Sequence, residues 1–546
     1  MKHRARAVKR RNVIIGIGAT AGVAAVGGIA LTANASTDKD TSESTADKSL
    51  VFDPTAYTKK TTTITDADNV EHSVTYHFWK AITYVAKPVD ATYQSLVVSV
   101  PVEIDGKKID ASNAPILFAN SVGGYLPSSV ATATEVGGGG MSGGAMPSGS
   151  GAPTGAMPSS STASNANSNT NATGGATSSN QLLALAAGYV VVEPGARGRT
   201  LKNSSGVYYG TAPAAIVDLK AAVRYVKFNK GRIPGNTERI VSAGTSAGGA
   251  LSSLLGASGD SPIYDKYLKE IGAADASDAI FATGAWCPIT DLEHADGAYE
   301  WNWGTNVTQS TSKVVDQTVS KALKAQFAEY QASLKLRGLD RFGPLTARNY
   351  DDYLVEQYLQ PSATTYLAAL SDSARETYLK ANTFITWKND KATFSWADYL
   401  THVGARKKTT PAFDAFDLSA GENNEFGAEK TLARHFTAYG AKNDSTGLSS
   451  KRIASDIPEL LNLMNPMYHL VDKVNEKGRS KHWWIRLGTS DTDTSHVISA
   501  NLAARVNELG DDVNHLYYWD QGHGANTDPG DFIKWIAKVS GYKSKV

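Results

Sequence analysis

Hydrophobic positions along the chain alternate between short strand-like runs and longer repeats with helical spacing. Apolar runs at residues 189–192, 280–286 and 482–488 predict buried strands, and apolar residues three or four positions apart within 213–229 predict an amphipathic helix. Further strand-like runs within 61–104 are separated by Asp, Asn, Gly or Pro, which is typical of antiparallel strands. The pattern therefore predicts an α/β fold with a mixed, mostly parallel sheet flanked by helices.

Two long segments interrupt this alternation. Residues from about 290 to 471 are polar and aromatic, with helices predicted at 315–332, 363–379 and 430–439, so we expect a large, mainly helical lid insertion. Residues 136–180 are almost entirely Gly, Ser, Ala, Asn, Thr, Pro and Met and carry no charge. Such a composition cannot pack a core and predicts a disordered insertion in a loop. Both segments lie within a predicted catalytic domain, residues 49–546.

The N-terminus has the pattern of an export signal. Six basic residues lie within the first eleven positions, an uncharged apolar run follows, and Ala33-Asn34-Ala35 offers a cleavage site. Residues 1–35 are therefore a predicted secretory signal, similar to a twin-arginine signal at Lys9-Arg10-Arg11-Asn12, and residues 36–48 a disordered tether. We expect a secreted or cell-surface bacterial protein. An uncleaved membrane anchor is the alternative, because the apolar run is just long enough to span a bilayer.

Composition and charge exclude several classes of function. The chain has 546 residues, is 41% hydrophobic and carries a formal net charge of +1, so it can bury a large core and has no global field that favours nucleic acid. Cys287 is its one cysteine, which rules out an intramolecular disulfide, and apolar neighbours predict a buried, inert thiol. No His/Cys cluster has metal-ligand spacing, so we expect neither a metal nor another cofactor. The sequence leaves the oligomeric state open.

Candidate chemistry begins with Ser246. Apolar residues 240–243 lead into Gly244-Thr245-Ser246-Ala247-Gly248, and small residues continue as a helix would. Strand, Gly-x-Ser-x-Gly and helix in this order predict a nucleophile elbow, the strained turn that presents the serine of an α/β-hydrolase. Glycine is required on both sides of the serine because backbone segments approach closely in this turn.

A serine nucleophile needs a base, and an acid that holds the base in one tautomer. In this fold both follow the serine along the chain, each in a loop after a strand. Asp491 follows the strand predicted at 482–488, and His523 lies in a Gly-flanked loop after the last strand, so Ser246, Asp491 and His523 are the predicted triad. His496 is the nearest rival of His523, but it begins a predicted helix.

Backbone N–H groups at two places are candidates for an oxyanion hole. One is Ala247, directly after the nucleophile, where a helix begins. The other is Gly123 or Gly124, a pair that follows the predicted buried strand 115–120. An ordinary glycine turn is an equally good interpretation of this pair. With these donors, the predicted reaction is attack of Ser246 on an ester carbonyl, followed by hydrolysis of the acyl-enzyme.

Four separated motifs give the chain a resemblance to a known family. They are Gly195-Ala196-Arg197-Gly198-Arg199-Thr200, Gly244-Thr245-Ser246-Ala247-Gly248-Gly249-Ala250-Leu251-Ser252, Pro411-Ala412-Phe413-Asp414 with Glu422-Asn423, and Asp491-Thr492-Asp493-Thr494. From about residue 70 onward the chain resembles the bacterial tannases, or tannin acylhydrolases. The departures are the insertion at 136–180 and the long export-type N-terminus.

The resemblance implies hydrolysis of galloyl esters to gallate by the triad derived above. It also implies that three polar side chains meet the three gallate hydroxyls: Lys408, Glu422 and Asp493. Without the resemblance, Lys408 and Glu422 are typical solvated charges of a lid. Asp493 stands apart, because it lies two residues beyond Asp491 in the same loop.

Two alternatives to a tannase stay open at this point. One is a carboxylesterase that acts on other hydroxyaromatic esters, such as feruloyl esters. Comparing the hydrolysis of methyl ferulate with that of methyl gallate distinguishes it from a tannase. A prolyl-peptidase relative or a non-catalytic wall-bound binding protein belongs to another class. The chain lacks a propeller-like repeat domain, which argues against the peptidase, and the complete triad argues against the binding protein. The expected partner is a small galloyl ester, and no nucleic acid.

Overall fold

A mixed sheet of ten strands runs through the described part of the chain, residues 48–141, 179–339, 342–471 and 476–545 of this computed structural model. Nine strands lie side by side: β1 Thr58–Thr65, β2 Glu71–Thr83, β3 Ser95–Ile104, β4 Ile116–Ala119, β5 Val190–Pro194, β6 Ile240–Thr245, β7 Ala282–Trp286, β8 His482–Gly488 and β9 Asp512–Tyr518. Their order across the sheet is β1-β2-β3-β5-β4-β6-β7-β8-β9, and the short strand Lys107–Lys108 pairs with β3. The pairs from β1 to β5 are antiparallel, and those from β5 to β9 are parallel. The predicted mixed, mostly parallel sheet is confirmed.

Sixteen α-helices accompany the sheet within the described residues. They are α1 Asn180–Ala186, α2 Ala214–Phe228, α3 Ala247–Ser258, α4 Asp265–Glu270, α5 Leu292–Trp303, α6 Gln317–Ser333, α7 Tyr350–Leu354, α8 Gln360–Ala369, α9 Asp372–Ala381, α10 Trp396–Val403, α11 Gly421–Glu425, α12 Ala438–Lys442, α13 Ile457–Met464, α14 Pro466–His469, α15 His496–Glu508 and α16 Pro529–Ser540. Short strand pairs join Ser128–Ser129 to Gly140–Met141, Arg337–Gly338 to Gly343–Pro344, and Thr386–Lys388 to Lys391–Thr393. None of the helices within these residues is long and apolar enough to cross a membrane.

The parallel strands form the centre of the core. Every residue of β4, β5 and β7 is buried, as expected for strands covered on both faces, and this explains their continuous apolar sequences. Within β4, Ile116 and Phe118 pack into one apolar cluster while Leu117 and Ala119 pack into the other. The sheet therefore has a core on each side, with edge strand β1 polar and largely exposed.

The predicted lid segment lies between β7 and β8 and contains helices α5 to α14. The helix predicted at 315–332 corresponds to α6, and the one predicted at 363–379 is divided into α8 and α9, with Ser371 capping the second. The helix predicted at 430–439 is wrong, since α12 begins only at Ala438. The N–H groups of Phe436 and Thr437 donate to the buried carboxylate of Asp414 instead. This tertiary hydrogen bonding overrides the local helical pattern.

The predicted signal, residues 1–35, the tether up to residue 47 and most of the low-complexity insertion, 142–178, lie outside the described residues. The predicted disorder at 136–180 was too wide at both ends. Val136 is buried, Gly137 N–H donates to the carboxylate of Glu193 at 3.0 Å, and Gly140–Met141 is paired as a strand. On the other side Ser179 caps α1 through its hydroxyl. Burial of Val136, these hydrogen bonds and the strand pairing place both flanks in the fold.

A buried ion pair joins two parts of the lid segment. The sheet and the lid segment belong to one compact unit, and within it Arg406 pairs with Glu300 of α5 through two hydrogen bonds of 2.5 and 2.8 Å. Both side chains are fully buried. The same guanidinium donates to the carbonyl oxygens of Lys408 and Thr409. Because a buried charge is tolerated only when it is fully paired, the chain from 406 to 409 is held in one conformation.

Candidate active site

Ser246 lies in the sharp turn between β6 and α3, with φ 62° and ψ −123°. This backbone conformation is strained for a residue with a Cβ atom. A Cβ at Gly244 would lie 2.3 Å from the carbonyl oxygen of Gly248, and a Cβ at Gly248 would lie 2.6 Å from that of Val122. Both glycines are therefore required by close backbone approach, for the reason that the sequence motif predicts.

His523 lies between Ser246 and Asp491. The Ser246 hydroxyl donates to Nε2 of His523 at 2.9 Å, and Nδ1–H of His523 donates to the Asp491 carboxylate at 2.8 Å. Asp491 follows β8, His523 follows β9, and the two loops meet Ser246 at the carboxyl end of the parallel strands. The structure therefore brings together the three side chains that the sequence predicts as a triad, in the arrangement that an activated serine needs.

The rival histidine, His496, is in the core. Its Nε2 lies 3.1 Å from the Tyr399 hydroxyl and its Nδ1 lies 3.3 Å from the Asn302 amide. Burial lowers the pKa of His496 to about 4, so its ring is neutral at ordinary pH. This histidine packs α15 against the lid segment and makes no hydrogen bond to Ser246 among the described contacts.

Asp491 and His523 shift each other's protonation. Burial opposes the charged form of Asp491, but the His523 ring and the hydrogen bonds it receives outweigh burial, and its pKa is lowered. Burial also lowers the pKa of His523, whereas the Cys287 sulfur and the Asp491 carboxylate raise it, and the net shift is upward. The pair is thus built to keep Asp491 ionised and to stabilise an imidazolium at His523.

The predicted oxyanion donors come from two segments, the start of α3 and the loop after β4. Ala247 is the first residue of α3, where helical N–H groups have no partner inside the helix. Gly123 and Gly124 follow β4, and within the described residues their N–H groups make no hydrogen bond. Gly124 has φ 54°, a conformation that suits glycine. Gly124 is the more exposed of the glycine pair, and their loop approaches the elbow at Val122, whose carbonyl oxygen faces Gly248.

The three predicted hydroxyl-binding side chains, Lys408, Glu422 and Asp493, are only partly exposed. The Lys408 ammonium lies 3.9 Å from the Glu422 carboxylate and 3.6 Å from the centre of the Phe413 ring. Asp493 instead pairs with Lys407, at 2.7 and 2.9 Å. No hydrogen bond or ion pair among the described residues joins Asp493 to Lys408 or Glu422, so their link is indirect.

Tyr299 of α5 connects the loop of Asp493 with that of Lys408, and the sequence did not predict this role. Its hydroxyl donates to the carbonyl oxygen of Thr492, next to Asp493, and accepts the N–H of Lys408 at 3.1 Å. A single buried phenol therefore joins the Asp491–Asp493 loop to the lid loop. Its position on a helix with helical apolar spacing gave no sign of this contact, since Tyr is common in cores.

Cys287 is buried as predicted, but it is not remote from the chemistry. It follows β7, the neighbour of β6, and its sulfur lies 3.9 Å from Nε2 of His523. In the described part of the chain Cys287, Asp491 and His523 are also the one group of potential metal ligands with mutual distances below 4.8 Å. Both nitrogens of His523 are already hydrogen-bonded to Ser246 and Asp491. The contacts of His523 with Asp491 and Cys287 therefore explain why these three side chains lie close together.

Known proteins share this architecture. A family model described as BD-FAE matches residues 163–333. A tannase from Fusobacterium nucleatum is 35% identical, with a TM-score of 0.74 over 90% of this chain and 100% of that chain. The tannin acyl hydrolase from Lactobacillus plantarum is 34% identical, with a TM-score of 0.72 over 90% of this chain and 99% of that one. A tannin acyl hydrolase in complex with ethyl gallate matches with the same identity, TM-score and shares. No curated protein matches the chain.

The fold and these likenesses define the class of protein. It is an α/β-hydrolase, and its activity is that of a carboxylic ester hydrolase acting on small-molecule esters. At more than 30% identity over nearly the full length of its relatives, the chain belongs to the bacterial tannases.

The upward pKa shift of His523 can be measured directly. We expect the pKa of its imidazole to lie above the usual value of 6.5, because the Cys287 sulfur and the Asp491 carboxylate stabilise the charged ring against the effect of burial. Asp491→Asn removes the stabilisation by the carboxylate but leaves the burial, so the midpoint should fall. NMR of the imidazole signals over a pH series gives both midpoints. Asp493→Asn is the matched control and should leave the midpoint in place. An unchanged midpoint in Asp491→Asn would contradict the coupling.

Proposed function

We propose that this protein is a serine esterase that hydrolyses galloyl esters of tannins and simple gallates, with release of gallate. One observation supports the proposal most directly: the Asp491 carboxylate accepts hydrogen bonds both from the proposed base, His523, and from the loop proposed to bind the ring. Asp491 accepts Nδ1–H of His523 through one oxygen and the N–H of Asp493 through the other, each at 2.8 Å. A related tannin acyl hydrolase has ethyl gallate bound, which supports the same ligand class for this chain.

The proposed reaction follows the hydrogen bonds around Ser246. His523 takes the hydroxyl proton as Ser246 attacks the ester carbonyl, and the N–H groups of Ala247 and of Gly123 or Gly124 stabilise the oxyanion. His523 then gives the proton to the leaving alcohol, and an acyl-enzyme is formed. Water, activated by the same histidine, attacks this ester and releases the acid. Asp491 stays ionised throughout and orients the ring.

The proposed ring-binding group is the hydroxyl clamp, which we define as Lys408, Glu422 and Asp493. Its cation can donate to a phenolic oxygen, while its carboxylates accept phenolic O–H groups. Charge-assisted hydrogen bonds of this kind favour a ring with several neighbouring hydroxyls over a bare ring. The clamp thus distinguishes a galloyl ester from an unsubstituted benzoyl ester.

Ser246→Ala tests the nucleophile. We expect wild-type protein to hydrolyse methyl gallate and the variant to lose about 10⁴-fold or more in kcat, because the triad acts as a unit. Release of gallate is followed by chromatography, and circular dichroism checks that the variant is folded. A folded variant with near wild-type activity would remove Ser246 from the mechanism. Faster hydrolysis of methyl ferulate than of methyl gallate would replace the galloyl substrate by a feruloyl one.

The clamp is tested by removing hydroxyls from the substrate. Methyl gallate should exceed methyl 4-hydroxybenzoate and methyl benzoate in kcat/KM, by about 10-fold or more for each hydroxyl, because the missing group leaves a polar side chain unpaired. Asp493→Ala should reduce the rate on methyl gallate most. Asp491→Asn, two residues away, should slow all three esters by a similar factor through His523. Equal losses on every ester for Asp493→Ala would assign it to catalytic support and refute the clamp.

We further propose that residues 1–35 direct the protein out of the cytoplasm by a twin-arginine route. The support is the sequence itself: clustered basic residues, an apolar run and the Ala33-Asn34-Ala35 site. Replacing Arg10 and Arg11 together by Lys keeps the charge but removes the arginine pair, and we expect esterase activity to stay inside the cell. Cell fractionation with immunoblotting measures this. Full-length protein in the membrane fraction of the wild type would favour the uncleaved anchor instead.

A further inference from the structure

Arg199 joins two parts of the site that are far apart in sequence. Its Nε–H donates to the carbonyl oxygen of Gly124 at 2.7 Å, and its Nη1–H donates to the side-chain oxygen of Asn424 at 2.9 Å. Gly124 belongs to the oxyanion loop, residues 121–126. Asn424 belongs to the clamp helix α11, which also carries Glu422. One planar guanidinium therefore spans the gap between oxyanion loop and clamp helix.

The backbone of Arg199 contacts the oxyanion loop, and its guanidinium contacts the clamp helix. Its backbone N–H donates to the carbonyl oxygen of Tyr125 at 2.9 Å, so its main chain is attached to the oxyanion loop as well. A Cβ at Gly421, the first residue of the clamp helix, would lie 2.9 Å from its Nη2. The guanidinium thus lies directly on the helix backbone, and its planar fork fixes both direction and distance.

Arg199 also lies close enough to the acidic residues of the clamp helix to affect their ionisation. Glu425 is fully buried, and neither carboxylate oxygen has a hydrogen-bond partner among the described residues. Burial raises its pKa far above the usual value, Arg199 opposes that shift and Glu422 adds to it. Arg199 therefore favours the charged form of Glu425, while Lys408 lies beside Glu422.

We propose that Arg199 is a positioning residue that fixes the clamp helix relative to the oxyanion loop, so that a ring held by Glu422 has its ester carbonyl in the oxyanion hole. The inference rests on the proposed function. It adds that Arg199 makes the preference for hydroxylated rings appear in kcat. Hydroxyl binding at the clamp raises the rate only if it places the carbonyl correctly against Ser246 and the N–H donors. A misplacement of about 1 Å can cost on the order of 10²-fold in rate.

The chain offers a matched pair of variants at Asn424. Its amide nitrogen donates to the carbonyl oxygen of Leu432 at 3.3 Å, while its oxygen accepts from Arg199. Asn424→Ala loses both contacts. Asn424→Asp loses the Leu432 contact but keeps an acceptor for the guanidinium, so a loss seen in Asn424→Ala and not in Asn424→Asp cannot come from the Leu432 contact.

Kinetics of methyl gallate and methyl benzoate give the first test. Asn424→Ala and Arg199→Lys should each lower kcat on methyl gallate by about 10- to 100-fold, with a smaller change in KM, and should lower kcat on methyl benzoate much less. Asn424→Asp should stay near wild type. The double variant Arg199→Lys/Asn424→Ala should lose far less than the product of the two single losses, because the contact between Arg199 and Asn424 is lost once. Equal losses on both esters, or losses that multiply in the double variant, overturn the inference.

Hydrogen exchange gives a second test that needs no substrate. If Arg199 transmits position, Asn424→Ala should speed amide exchange in residues 121–126 although Asn424 does not touch them, and Asn424→Asp should not. Unchanged exchange in Asn424→Ala overturns the inference even when wild-type protein prefers methyl gallate. A wild-type enzyme without that preference would refute the proposed function instead, and faster exchange in Asn424→Ala would still support the positioning role.

Discussion

The strained turn at Ser246 is the constraint on which the site depends. A non-glycine residue in such a conformation costs about 1–3 kcal/mol, so the surrounding structure must hold it. β6 is hydrogen-bonded to β4 on one side and β7 on the other, Ser246 N–H donates to the carbonyl oxygen of Trp286, and its own carbonyl accepts the N–H of Ala250. The turn is therefore fixed by strands and helix together. Its geometry then presents the hydroxyl at the carboxyl end of the sheet.

The same end of the sheet also positions the other two members of the proposed triad. β7, β8 and β9 continue the parallel order from β6, so their following loops emerge beside one another. The loops after β8 and β9 are joined directly: Ser490 N–H donates to the carbonyl oxygen of Gln521, and Asp520 N–H donates to the hydroxyl of Thr489. These hydrogen bonds hold Asp491 and His523 next to each other, and they do not involve Ser246. The register of the sheet, and not a local motif, sets their distance.

Sequence alone predicted the parts of this arrangement that are encoded locally. Buried parallel strands are continuous apolar runs, the elbow is a five-residue motif, and chain order places Asp491 and His523 after the right strands. The contacts of Tyr299, Lys407 and Arg199 could not be predicted, because each joins segments 75 or more residues apart through an ordinary side chain.

Local patterns failed where tertiary contacts decided the conformation. The segment 430–437 has helical spacing, but the N–H groups of Phe436 and Thr437 donate to the carboxylate of Asp414. The glycine-rich residues up to Met141 have no pattern of their own, and they are ordered by Val136, by Glu193 and by strand pairing. Asp414 and Glu193 lie outside these two segments, so the local sequence of each segment does not reveal the contact.

Each carboxylate of the proposed hydroxyl clamp has a lysine as its neighbour, Lys408 within the clamp and Lys407 beside it. Glu422 lies beside Lys408 and Asp493 is paired with Lys407, so these four groups have no net formal charge. Lys407 is 56% exposed, and an exposed pair contributes only about 0–1 kcal/mol, so a phenolic hydroxyl can compete for Asp493. Arg406, the preceding residue, is fully buried against Glu300, which holds the loop in place beside this exposed pair. In the proposed mode of binding, a rigid buried pair next to an exposed one would therefore let the clamp accept hydroxyls without losing its shape.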